Sequence, residues 1–84
     1  SSKSSVPSEV KEPVKVELTV DKQIFLNGEK VTLEEFESAL LKISVSKNNA
    51  AVIRADKNLP YGNVIKIMGI LQSAKILDIG VAVK

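Results

Sequence analysis

The chain has 84 residues, 44% of them hydrophobic, and a formal net charge of +2 from twelve Lys and Arg against ten Asp and Glu. That length holds one domain with one modest core. The absence of Cys and His excludes a disulfide framework, thiolate metal sites, a cysteine nucleophile and any histidine general base.

The cations Lys15, Lys22, Lys30, Lys42, Lys57 and Lys66 are dispersed among acids. A phosphate-binding surface gathers them on one face, so no nucleic-acid footprint is read here. No apolar run approaches the ~20 residues needed to cross a bilayer, and no signal peptide is visible. The opening Ser1-Ser2-Lys3-Ser4-Ser5 reads as the start of a piece of something longer.

Residues 1–12 are polar and Ser/Lys-rich, contain Pro7 and run up to Pro13. They are expected to form a flexible linker or tether, with residues 13–84 as the folded domain. From Val14 the pattern changes: Val14, Val16, Leu18 and Val20 alternate with polar residues, as a half-buried strand requires. Ile24 to Leu26 and Glu29 to Val31 flank Asn27-Gly28, a pair that tolerates the positive φ of a type I′ turn. The spacing predicts a hairpin with Ile24 opposite Val31 and Leu26 opposite Glu29.

Thr32 and Glu35 fit a capping box, with Val31 and Phe36 placed as its hydrophobic staple. The helix that follows carries Leu33, Phe36, Ala39, Leu40 and Ile43 on one stripe. It is expected to end before Ser44, where a polar loop leads to a turn at Asn48-Asn49. Ala50 to Ala55 reads as an interior or near-interior strand with Arg54 embedded. Asn58 is expected to cap a second helix with Pro60 in its first turn. Its buried stripe is Val64, Ile67, Met68, Leu71 and Ala74, widened by Ile65 and Ile70. A last strand covers Leu77 to Val83.

The order β-β-β-α-β-α-β predicts an α+β two-layer sandwich, a mixed sheet with both helices on one face. If the strands near Val52 and Ile79 are parallel, the connection through the second helix is right-handed.

Little in this order carries chemistry. Asp56 ends a strand beside a helix start, but no second carboxylate, histidine or nucleophile lies near it, so it reads as a turn carboxylate. Arg54, two residues away on the same face, reads as its local partner. Gly28, Gly69 and Gly80 are too scattered to cradle phosphate. Tyr61-Gly62 allows either a binding role or a tyrosine that covers the sheet edge, with Gly62 admitting close approach of another backbone. No catalytic, cofactor or metal site is assigned.

The residues assigned to partner binding are Val14, Val16, Leu18 and Val20, together with Tyr61. An alternating edge strand behind a tether can join a partner's sheet by β-augmentation. Two alternatives stand beside that reading: an internal strand paired on both sides, and a strand shared with a twin subunit.

Taken together, the alternating strand from Val14, the Ile24 to Val31 hairpin with Asn27-Gly28, the helix from Leu33, Val52-Ile53-Arg54-Ala55-Asp56, Tyr61-Gly62 and Val64-Ile65-Lys66-Ile67-Met68 resemble the ExbD/TolR family. Two positions depart from its pattern. Gly69 stands where members often carry Asp, and Lys75 replaces a common Gly before the final strand.

The resemblance implies the periplasmic domain of a single-pass bacterial inner-membrane protein whose transmembrane helix is absent from this chain. It implies an ExbB- or TolQ-like membrane partner, a TonB- or TolA-like periplasm-spanning partner, and a homodimer. An ExbD-like role in proton-motive-force-driven transport across the outer membrane is preferred over a TolR-like role in envelope integrity with peptidoglycan contact. The resemblance implies no enzyme and no cofactor. A small nucleic-acid-binding or regulatory subunit is a remote alternative, disfavoured by the lack of stacking aromatics.

Overall fold

The computed structural model describes residues 12–45 and 49–84. Apart from Glu12, the expected tether lies outside the described residues, as does Asn48 of the expected turn. The elements are β1 (Val14–Leu18), β2 (Ile24–Leu26), β3 (Glu29–Val31), α1 (Leu33–Val45), β4 (Ala50–Ala55), α2 (Tyr61–Ser73) and β5 (Asp78–Val83). This is the expected α+β order, and the five strands form one mixed sheet in the order β3-β2-β1-β4-β5.

Local chemistry explains the first half. Asn27 and Gly28 have φ of 51° and 89°, the two left-handed residues of a type I′ turn, which matches the twist of the flanking strands. Ile24 pairs with Val31 and Leu26 with Glu29, as the spacing predicts. The capping box is also formed: the Glu35 amide donates to Thr32 Oγ1 at 3.1 Å, and the Thr32 amide donates to Glu35 Oε1 at 2.8 Å. With Glu34 and Glu35 in its first turn, α1 has carboxylates where the helix dipole is positive.

Strand alternation then decides which face is buried. Val14, Val16 and Leu18 are buried while Lys15 and Glu17 are exposed. Parallel pairing sets those three residues beside Ala51, Ile53 and Ala55 of β4, so one face of the sheet is apolar across neighbouring strands. α1 packs over β2 and β3, and α2 over β4. Phe36, Leu40, Leu71 and Ile76 close the core from that side, all at most 1% exposed. Burying side chains of this size contributes roughly 1.5–3 kcal/mol each.

Several boundaries differ from expectation. β1 stops at Leu18 because Thr19 starts a reversal. The Lys22 amide donates to the Thr19 carbonyl at 2.9 Å, the Gln23 amide to Thr19 Oγ1 at 3.0 Å, and the Thr19 hydroxyl to Asp21 Oδ1. α1 continues through Val45, and β5 begins at Asp78 rather than Leu77. Asn58 does not cap α2: its amide donates to Asp56 Oδ1 at 2.8 Å, and α2 starts after Pro60 with no side-chain cap. Ile65 does not widen the buried stripe, being 48% exposed.

Candidate interface at the β5 edge

The strand assigned to partner binding lies in the middle of the sheet. β1 pairs antiparallel with β2 along one side and parallel with β4 along the other. Its ladder groups are therefore taken, and Val14, Val16 and Leu18 point into the core. The edge reading of β1 is corrected to the internal-strand alternative. Alternation could assign a face to these residues but could not say which strands lie beside them. Val20 is exposed in the turn after β1, and Tyr61 is exposed at the start of α2.

The remaining candidates are placed as follows. The Asp56 carboxylate accepts the Asn58 amide, consistent with a turn carboxylate. Arg54 lies in register between Glu17 of β1 and Ala82 of β5. A Cβ at Gly62 would meet nothing within 4 Å, so no backbone approaches closely there among the described residues.

Among the described residues, the edges of the sheet belong to β3 and β5, and they differ in kind. β3 has three residues, two of them the charged Glu29 and Lys30. Short length and charge are the usual guards against unwanted strand pairing. β5 has six residues, Asp78–Val83, and its stretch Ile79-Gly80-Val81-Ala82-Val83 contains neither charge nor proline.

The direction of its backbone groups follows from its hydrogen bonds to β4. The Asp78 amide donates to the Asn49 carbonyl at 3.1 Å, and the Lys84 amide to the Ala55 carbonyl at 3.0 Å. With a strand period of two, the amides of Gly80 and Ala82 also face β4. Those of Ile79, Val81 and Val83 face outward.

The apolar surface continues over the same edge. Ile79, Val81 and Val83 lie in register with Ala51, Ile53 and Ala55, so they extend the core face of the sheet. Yet Val81 is 40% and Val83 62% exposed. Helical cover thins before it reaches β5, since α1 sits over β2 and β3 and α2 over β4. The α2 flank turned towards α1 carries Ile70 and Ala74, which line a recess with Leu40 and Leu41. Away from that flank, α2 exposes Tyr61 and Ile65, one helical turn apart.

This combination of an unguarded strand edge and an adjoining apolar rim is suited to docking. The signal was present in the sequence as five uncharged residues between Asp78 and Lys84. What the sequence lacked was the position of that strand in the sheet.

No groups of three or more His, Cys, Asp or Glu able to hold a metal ion occur among the described residues. No helix among them is long and apolar enough to cross a membrane. Comparison with curated proteins gives no match. The family model described as Biopolymer transport protein ExbD/TolR matches residues 1–84, the whole chain. That family consists of membrane-anchored, transport-associated proteins with a role in energy transduction. The chain belongs to the ExbD/TolR family of biopolymer transport proteins.

Proposed function

We propose that this chain is the periplasmic, dimerising and partner-binding domain of an ExbD-like inner-membrane protein, and that β5 is the strand through which it docks. The observation that carries the reading is the exposure of Val81 and Val83 on an edge strand whose stretch from Ile79 to Val83 has no guarding charge or proline. Such an edge offers main-chain hydrogen bonds for affinity, and its side chains supply specificity.

The ends of β5 favour one self-pairing. In an antiparallel pair of two copies centred on Val81, Asp78 of one copy lies opposite Lys84 of the other, and Ile79 opposite Val83. Both charges are then matched across the two-fold axis, and the valines at the centre cover each other. In this reading the domain transmits force or position between an ExbB-like membrane partner and a TonB-like periplasmic partner, and carries out no chemistry of its own.

The test is sedimentation equilibrium of the protein, followed by backbone NMR during titration with a TonB-like periplasmic domain. Self-association, with shifts at residues 78–84 or on the Tyr61–Ile65 flank, supports the proposal. A monomer whose spectrum does not respond to the partner sinks it. Cosedimentation with peptidoglycan in the absence of a TonB-like response would assign the TolR-like role instead.

A further inference from the structure

A second concave surface lies away from β5, in the angle between the β2–β3 hairpin, the start of α1 and the first half of α2. It is a groove of about 360 Å³, within the ~300–1,000 Å³ range of small-molecule sites. Leu18, Ile24, Val31, Leu33, Leu59 and Ile67 make its apolar lining. Its charged residues are Lys22, Lys30 and Lys66, all exposed, and no carboxylate lines it.

The adjoining helix end adds to the same sign of potential. Leu59 and Asn63 of the lining flank the start of α2, which has no side-chain cap and no acidic residue in its first turn. α1, by contrast, starts with a capping box and two carboxylates. A helix start carries about half a positive charge, and the groove beside it is lined by ammonium groups and by no carboxylate.

We propose that this groove binds a small single-chain amphiphile: an unbranched apolar tail lying along the leucine and isoleucine floor, with a carboxylate held by the lysines. A bare anion would leave the apolar lining uncovered, and a neutral hydrocarbon would leave the cationic rim unmatched. A volume of about 360 Å³ is that of a small-molecule site, which favours a free fatty acid over the face of a bilayer.

The test uses decanoate below its micelle concentration, followed by backbone NMR of the protein. Saturable shifts at residues 22–24, 30–33 and 63–67 are expected, with no comparable response to decanol or acetate. Lys66→Glu removes one attraction and adds one repulsion, so half-saturation should rise roughly tenfold. Because Lys66 is exposed, unchanged resonances from Phe36 and Ile53 will verify that the variant is folded. Added salt should weaken binding through screening.

The proposal is overturned if decanol shifts the same amides as strongly, or if decanoate moves Val81 and Val83 instead. Binding to phosphatidylglycerol vesicles without a response to decanoate would also overturn it.

Discussion

The amide of Ile76 donates to the carbonyl of Leu71 at 2.9 Å, and between them the amide of Lys75 donates to the carbonyl of Gln72, also at 2.9 Å. This pair of bonds is the Schellman closure of α2, and both Leu71 and Ile76 are fully buried, as the motif's apolar contact requires. The residue at its left-handed position is Lys75, with φ of 67°. Helix termination therefore proceeds as it would with glycine, but in a conformation that costs an L-residue roughly 1–2 kcal/mol.

Lys75→Gly should stabilise the domain. Relief of the left-handed strain exceeds the added flexibility of glycine in the unfolded chain by about 0.5–1 kcal/mol. Thermal unfolding checks this, with Lys75→Val as a control expected to shift the midpoint downward.

Gly69→Ala should also stabilise. Gly69 lies inside α2, and an added Cβ would meet nothing within 4 Å. The gain is the helix-propensity difference of roughly 0.8–1 kcal/mol, readable as a higher urea midpoint with an unchanged slope.

Thr32→Ala should destabilise by about 1 kcal/mol, because it leaves the Glu35 amide without its side-chain acceptor. Thr32 and Glu35 bond each other reciprocally. Combining Thr32→Ala with Glu35→Ala should therefore cost less than the sum of the single changes. A double-mutant cycle in urea measures the coupling.

Ile53→Ala and Leu41→Ala should separate core from surface. Ile53 is fully buried on β4, an interior strand of the sheet, whereas Leu41 is 66% exposed. The first should cost roughly 2–5 kcal/mol, enough to unfold much of a marginal domain. The second should stay within about 0.5 kcal/mol.

Val81→Lys addresses the proposed interface. The side chain is partly exposed on the free edge, so the fold should survive while like charges meet at the centre of a β5 pair. Sedimentation should show self-association lost and the circular dichroism spectrum retained.

The fold was largely legible because its signals are local. The Asn27-Gly28 turn, the Thr32/Glu35 box and the apolar periods of both helices each involve residues within a few positions of one another. The misses were also local in origin. Asn58 looked like a cap by type, but the Asp56 carboxylate takes its amide and Pro60 sets the helix start. Ile65 looked set to widen the buried stripe, yet the helical period of 3.6 turns it away from Val64, Ile67, Leu71 and Ala74, and it is exposed.

The interface was less legible than the fold. Alternation along Val14–Leu18 and the uncharged run in Ile79–Val83 are both visible in the amino-acid order, but neither says how many neighbours a strand has. By itself, the sequence determined the elements, their order, the buried face of β1 and the main buried stripe of each helix, since these follow from turn chemistry and from periods of two and 3.6 residues. Only the tertiary structure decided that β1 lies between β2 and β4 while β5 remains at the edge. Lateral strand order depends on backbone pairing between segments far apart in the chain, and all backbones present the same hydrogen-bonding groups.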